Sequence, residues 1–347
     1  MEYRVLGRTG VRVSELCLGA MMFGSLGNRD RRDCVRMIQR ALDGGINMID
    51  TADIYSGGES EEIVGEALRG RRDEVVLATK LNRRMGPGLN DGGNSRLWIM
   101  RAVEASLRRL GTDHIDLYQL HRPDPRTDLE ESLEALSDLV HQGKVRYVGT
   151  SAFPAFELVE AQWIAERRGL SRPACEQVSY SMMVRHAERE TFPVAQRYRL
   201  GAIVYSPLAG GWLTGRYRRG EPPPEGTRMD RAVKEGLFGR WFSPERPETE
   251  RRFDVVERLS LVAQKAGASL TEMAIAFTLA HPAVSASIIG PRTMEQLEGA
   301  LEAVEVRLDD DTLDAIDDAV APGTLVDDAD RGWNPPWMAP EARRRRD

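Results

Sequence analysis

Lysine is almost missing from this 347-residue chain. Of its 48 lysine and arginine residues, only Lys80, Lys144, Lys234 and Lys265 are lysine. The skew matches a GC-rich genome and by itself excludes nothing, but it makes each retained lysine a question. Cysteine is scarce as well. Cys17, Cys34 and Cys175 are far apart, with no CxxC and no zinc-ligand spacing. That excludes a disulfide framework and leaves reduced, buried thiols as the expectation. No run approaches the roughly 18–20 apolar residues of a membrane span, so no membrane partner is expected. Basic charge is not in excess: 54 acidic residues give a formal charge of −6 and a pI of about 5.6. A dedicated nucleic-acid surface is thereby excluded. Met1-Glu2-Tyr3-Arg4-Val5 lacks a basic stretch followed by an apolar run, so the expected compartment is the cytoplasm. The Arg343–Arg346 run reads as a solvated tail.

What is present is an ordinary globular composition, 41% hydrophobic and 29% charged, enough apolar residue for a large core. Short apolar runs alternate with amphipathic segments from end to end. The strand-like runs are Leu16–Leu18, Asn47–Asp50, Val75–Lys80, Ile115–His121, Val145–Ser151, Ala174–Tyr180, Ala202–Ser206 and Ala286–Gly290. Between them lie stretches with helical spacing, such as Asp33–Leu42, Arg96–Leu110 and Leu270–Leu279. Continuous apolar strands, each followed by a helix, indicate a parallel sheet covered by helices. Eight such units predict an α/β protein with a (β/α)8 barrel of the TIM type, one domain over residues 1–347. A doubly wound sheet is the rival, but Gly86–Gly92 has the wrong spacing for GxGxxG. Arg4 to Val13 reads as a β-hairpin placed to plug the N-terminal mouth. The Gly-, Pro- and Arg-rich stretch from Leu208 to about Pro247, after strand seven, is too long for an ordinary connection and reads as a functional loop. A tail begins near Pro322.

Catalytic residues of such barrels gather at the C-terminal ends of the strands. Asp50 ends the second strand, Tyr55 lies just beyond it, Lys80 ends the third and His121 the fourth. Singly, each has an ordinary reading as a cap, a solvated amine or a packing residue. Jointly they gather on one rim. A tyrosine hydroxyl is a poor acid at neutral pH, and a neighbouring ammonium favours tyrosinate. A carboxylate beside the ammonium keeps it charged and placed. Asp50, Lys80 and Tyr55 thus make a tuned acid for a carbonyl oxygen, with His121 orienting the carbonyl or relaying the proton. No nucleophile elbow, Walker loop or HExxH helix competes.

The run Asp50-Thr51-Ala52-Asp53-Ile54-Tyr55, followed by Gly58-Glu59-Ser60-Glu61 and Gly65, resembles the signature of the aldo-keto reductase superfamily. Ala78-Thr79-Lys80 and Leu117–His121 match its other two motifs. The resemblance runs from Met1 to about Pro340. The long loop and the Pro335-Pro336-Trp337 tail resemble bacterial members found near natural-product gene clusters, some acting on nucleotide-linked deoxysugars. The resemblance implies hydride transfer from NADPH to an aldehyde or ketone, reversible in principle, with Tyr55 as general acid and no metal. NADH is the alternative cofactor.

Carried over residue by residue, Ala20, Met21 and Asp50 lie toward the nicotinamide ribose. Ser151 and Gln177 hold the carboxamide, and Tyr205 stacks on the nicotinamide. Ser206-Pro207-Leu208-Ala209-Gly210 follow the pyrophosphate, while Arg216 and Arg228 grip phosphate. Gly290, Arg292 and Gln296 surround the adenosine 2′-phosphate, where a helix N-terminus with an arginine suits an anion. The chain also departs from the family pattern. Ala152 replaces an asparagine after the strand-five serine, and Gly299 and Ala300 replace an adenine-holding Glu and Asn. That loss weakens the adenine grip by ~1–3 kcal/mol unless something substitutes. Phe23, Trp212 and Trp241 are candidate substrate walls, with core packing as the competing role, and Trp98 reads rather as a helix flank. Arg122 meets either an anionic substrate group or a neighbouring carboxylate. The partner expected is a small carbonyl compound, with self-association left open. The alternative is a cofactor-binding, redox-sensing regulatory subunit with little turnover.

Overall fold

The computed structural model describes residues 1–235 and 246–344; Trp241 and the last arginines of the tail lie outside them. The chain starts with an antiparallel hairpin, β1 (Tyr3–Val5) and β2 (Arg12–Ser14). Eight parallel strands then close into a barrel: β3 (Leu16–Gly19), β4 (Met48–Asp50), β5 (Val76–Leu81), β6 (Ile115–Leu120), β7 (Val145–Ser151), β8 (Cys175–Ser179), β9 (Gly201–Tyr205) and β10 (Val284–Ile289). They pair in chain order, and β10 returns to β3. This is the (β/α)8 architecture expected from the alternation.

Helices α1 (Arg31–Asp43), α2 (Glu59–Ala67), α3 (Arg96–Leu110), α4 (Leu129–His141), α5 (Ala155–Arg168) and α6 (Thr191–Tyr198) follow the first six barrel strands. After β9 come α7 (Arg228–Glu235), α8 (Pro247–Lys265) and α9 (Leu270–Ala280); after β10 come α10 (Met294–Glu302), α11 (Asp310–Ala319) and, near the end, α12 (Pro340–Arg343). Strands β3 and β10 are buried along their whole length because helices cover one face and the barrel interior the other. α1 shows how the local sequence does this. The Asp30 side chain caps its first turn, and Cys34, Met37, Ile38 and Ala41 make one apolar stripe.

The hairpin closes the lower mouth. Leu6 and Val13 pack against the inward-facing Cys17, Met48, Leu117, Ile203 and Ala286. The long stretch after β9 is less irregular than expected. It holds a 3-10 segment, Ala209–Thr214, and α7, whose polar composition hides the helix from a hydrophobic-periodicity reading. Strand ends move by a residue or two: β5 runs on to Leu81, β6 stops at Leu120, and β8 ends at Ser179, which leaves Gln177 in its middle.

Gly65 is set by helix packing. A Cβ there would sit 2.3 Å from the Leu110 carbonyl oxygen, at the end of α3. Gly65→Ala is therefore expected to cost about 1–3 kcal/mol by overpacking. A urea titration checks this: the midpoint should fall with the slope unchanged.

Candidate active site

The upper layer of the barrel interior is polar. Asp50, the last residue of β4, accepts from Lys80 Nζ at 2.6 Å, from Gln177 Nε2 at 2.8 Å and from Gln119 Nε2 at 3.4 Å. Lys80 is fully buried, and its Nζ also donates to the Thr51 carbonyl at 2.7 Å. Burial opposes its charge, but Asp50 and then Tyr55 outweigh burial, so its pKa lies above the ordinary lysine value.

The backbone that carries Tyr55 turns sharply. Tyr55 opens a 3-10 turn, Tyr55–Gly58, in which Ser56, Gly57 and Gly58 hold φ values of 51°, 65° and 102°. Asp53 N donates to the Lys80 carbonyl, and Ser56 Oγ to the Phe23 carbonyl. Lys80 Nζ lies 5.1 Å from the centroid of the Tyr55 ring, so the ammonium meets the ring face. His121 follows β6, with its N–H donating to the Leu81 carbonyl at 2.8 Å. Its ring stands edge-on to Tyr55, centroids 5.8 Å apart. His121 Nδ1 is buried with no hydrogen-bond partner among the described residues. Burial first, then Lys80, Arg122 and Arg83, push its pKa well below the usual histidine value, so the imidazole is neutral. The structure thus brings Asp50, Tyr55, Lys80 and His121 to one mouth.

The other expected positions form a ring around it. Ala20 is buried and its N–H donates to the Asp50 carbonyl; Met21 is half-buried. Ser151 Oγ accepts from Arg122 at 3.3 Å, which leaves its own proton to donate. The Gln177 amide is turned to Asp50. Tyr205 ends β9, its hydroxyl buried with no hydrogen-bond partner among the described residues. The tail lies against it: a Cβ on Gly332 would sit 2.2 Å from Tyr205 Oη. Ser206, Ala209 and Gly210 hold φ values of 60°, 47° and 70° around Pro207 and Leu208, a tight turn. Gly290 is exposed, and Gln296 Oε1 accepts from Arg292 N at 2.9 Å.

Arg228 and Arg292 have lowered pKa values. Burial is the main cause; Arg228 also feels the like charges of Arg292 and Arg231, and Arg292 those of Arg231 and the exposed Arg216. Arg231 donates to the Leu26 carbonyl and Arg292 to the Gly226 carbonyl, so the α7 segment spans from the β3 loop to the β10 loop.

Two expected wall residues are not walls. Phe23 is 0% exposed, and Trp212 is 1% exposed, packed edge-on against Tyr217 and Phe253. Core packing claims both because their loops fold back onto apolar neighbours. Trp98 is likewise buried, in the first turn of α3. Trp241 lies outside the described residues. The sequence reading also missed Gln119, Arg83, Arg231 and Asp53. Strand alternation from Leu117 marks Gln119 as inward-facing only once the register is known.

Residues 15–321 match the profile of the Aldo/keto reductase family. The chain belongs to the aldo/keto reductase family. It is 41% identical to the uncharacterized oxidoreductase YrpG of Bacillus subtilis, over 93% of this chain and 97% of that protein. It is 37% identical to a putative voltage-gated potassium channel subunit beta of Schizosaccharomyces pombe, over 88% of both chains. A probable voltage-gated potassium channel subunit beta of Oryza sativa subsp. japonica is also 37% identical, over 88% of this chain and 92% of that one.

Aldo/keto reductases generally bind NAD(P)H, and the residues present fit such a dinucleotide. Like-charged arginines gathered around Arg228 suit phosphates. The departures from the aldo/keto reductase pattern have visible consequences. Ala152 holds a φ of 55°, where an asparagine is more at ease than an alanine. A Cβ on Gly299 would meet nothing within 4 Å, so the surface there is open.

Asp53 is a second buried acid behind Tyr55. It is 1% exposed, and neither carboxyl oxygen has a hydrogen-bond partner among the described residues. Burial, then the charge of Glu61, pushes it up to about 8. Glu61 itself accepts from Thr79 Oγ1 and Arg109 Nε, each at 2.6 Å. The folded state therefore holds the Asp53 proton at pH values where the unfolded chain has lost it. Stability from this group is full below about pH 4 and is lost as pH rises through about 8. Asp53→Asn should not lose it. The variant-minus-wild-type difference in Tm should grow from pH 4 to 8 and then level off. A difference independent of pH would refute the neutral Asp53.

Proposed function

We propose that this protein is an NADPH-dependent carbonyl reductase in which Tyr55 protonates the carbonyl oxygen of an aldehyde or ketone. The observation that carries this reading is the buried Lys80–Asp50 pair beneath the Tyr55 ring, beside a neutral His121. NADPH, when bound, supplies the hydride that reaches the carbonyl carbon.

The chain's own groups do the rest. Tyr55 gives its proton to the developing alkoxide. The Lys80 ammonium stabilises the tyrosinate left behind, and Asp50 keeps that ammonium charged and in place. His121, being neutral, offers an N–H to the carbonyl oxygen without competing as an acid. Arg216, Arg228 and Arg292 bind the phosphates, with Arg292 facing the 2′-phosphate. Ser151 and Gln177 take the carboxamide, and Tyr205 the nicotinamide face.

The potassium-channel beta-subunit names of the fungal and plant relatives favour a second reading, a regulatory subunit that binds the cofactor with little turnover. NADPH oxidation with a generic aldehyde such as 4-nitrobenzaldehyde separates the two. Tight NADPH binding without turnover of any carbonyl would favour the subunit.

Tyr55→Phe is expected to lower kcat by about 10²–10⁴-fold with NADPH affinity retained; near-normal kcat would refute the acid assignment. Arg292→Ala should raise the Kd for NADPH far more than that for NADH, read by fluorescence titration. Equal losses would show that Arg292 does not read the 2′-phosphate.

A further inference from the structure

Two arginines stand beside the tetrad with no carboxylate to meet them. Arg122 Nη1 donates to the His121 carbonyl at 2.6 Å and to Ser151 Oγ at 3.3 Å. Its Nε is buried with no hydrogen-bond partner among the described residues. Glu176 feels the Arg122 charge, but it accepts from Thr150 Oγ1 at 2.6 Å and Phe153 N at 3.0 Å. Burial pushes Glu176 up to about 8, and no ion pair joins it to Arg122 among the described residues. The acid on Arg122's own loop, Asp124, is turned instead to Asn94 N, Thr127 Oγ1 and Arg126.

Arg83 lies three residues past Lys80 and is exposed, with no hydrogen bond or ion pair to a described residue. It is near enough to Arg122 for the two charges to repel, and near enough to Tyr55 and His121 to be felt there.

The two loops are braced into one frame. Asn82 Nδ2 donates to Asn94 Oδ1 at 3.0 Å and to the Arg122 carbonyl at 3.3 Å, and Asn94 Nδ2 reaches the same carbonyl at 2.9 Å. Asn82, directly before Arg83, holds a φ of 137°, a costly conformation for a residue with a side chain. The frame holds together the backbone that carries the two arginines. Like charges carried on loops joined in this way are relieved when an anion binds between them, and a guanidinium matches the planar fork of a carboxylate or the oxygens of a phosphate.

We propose that Arg83 and Arg122 form a subsite for the anionic group of an acidic carbonyl substrate, a carboxylate or phosphate held beside the carbonyl that Tyr55 protonates. This rests on the reductase reading above and gives it a substrate class: oxo acids, carboxylated aldehydes and phosphorylated aldehydes or ketones.

The test compares matched substrates with the full chain and NADPH. 4-Carboxybenzaldehyde and phenylglyoxylate are each set against their methyl esters, and glyceraldehyde 3-phosphate against glyceraldehyde. At least one anion should be preferred about tenfold or more in kcat/KM, mainly through KM, the order expected of charge-assisted hydrogen bonds. Arg83→Gln should reduce that preference by about tenfold, and Arg83→Glu should abolish it. Preference for the acids assigns the subsite to carboxylate, and preference for the sugar phosphate alone assigns it to phosphate. Equal turnover of every pair, or a preference that survives Arg83→Glu, overturns the subsite.

A calorimetric titration of the NADP+-loaded protein with 4-(hydroxymethyl)benzoate and its methyl ester needs no turnover. If no aldehyde is reduced but the acid still binds more tightly in an Arg83-dependent way, the reductase reading fails and the subsite stands. If aldehydes are reduced without any such difference, the subsite fails alone.

Discussion

A lysine ammonium with no access to water needs a counter-charge, and here the whole upper barrel is arranged to supply one. Lys80 and Asp50 stand on neighbouring strands, and Gln119 and Gln177 bring two more strands to the same carboxylate. Breaking a buried pair of this kind leaves an uncompensated charge, a cost of about 3–5 kcal/mol. The interaction that conditions Tyr55 in the proposed mechanism therefore also fixes the register of β4, β5, β6 and β8 at their upper ends. Directly below, the interior is apolar. The Cys17 thiol there is pushed well above its usual value by burial and then by Asp50.

The loops above the ion pair are tied to one another rather than to the barrel alone. Ser56 joins the Tyr55 turn to the β3 loop, Asn28 joins that loop to the Arg292 carbonyl, and Arg231 and Arg292 fasten the α7 segment across both. The C-terminal tail has its own anchor. Arg252, 1% exposed and stacked over Trp212, donates to Asp327 and Asp330 at 2.8 Å each. Trp212 thus serves the fold as the floor under this ionic knot, which explains its burial. The tail then runs on to place Gly332 against Tyr205.

The barrel was legible because strands buried on both faces leave continuous apolar runs, and helices between them leave a different period. The convergence of Asp50, Tyr55, Lys80 and His121 followed from the rule that strand ends share a rim. The scarcity of lysine sharpened one of them: a compact ammonium sits in a space where a forked guanidinium, bulkier and locked in its charge, does not fit as well. What stayed hidden depended on contacts between segments distant in sequence. Phe23 and Trp212 have the composition of wall residues, and only tertiary packing turns them inward. Arg83 looks like any loop arginine until Arg122 is seen beside it. Asp53 reads as part of a motif, and only its burial next to Glu61 makes it neutral. α7 has too few apolar residues to announce itself, although it carries two of the gathered arginines.

The hairpin at the start of the chain gives the barrel a direction. Leu6 and Val13 fill the lower end of the interior, opposite the mouth that holds Tyr55. Lys80 Nζ donates to Asp50 and Thr51, and the layer beneath it is built mainly of apolar side chains with the Cys17 and Cys175 thiols. In the proposed reaction the proton that Tyr55 gives up is replaced from above, through the same doorway that admits the carbonyl compound. Recharging the acid and exchanging the ligand then share a single doorway.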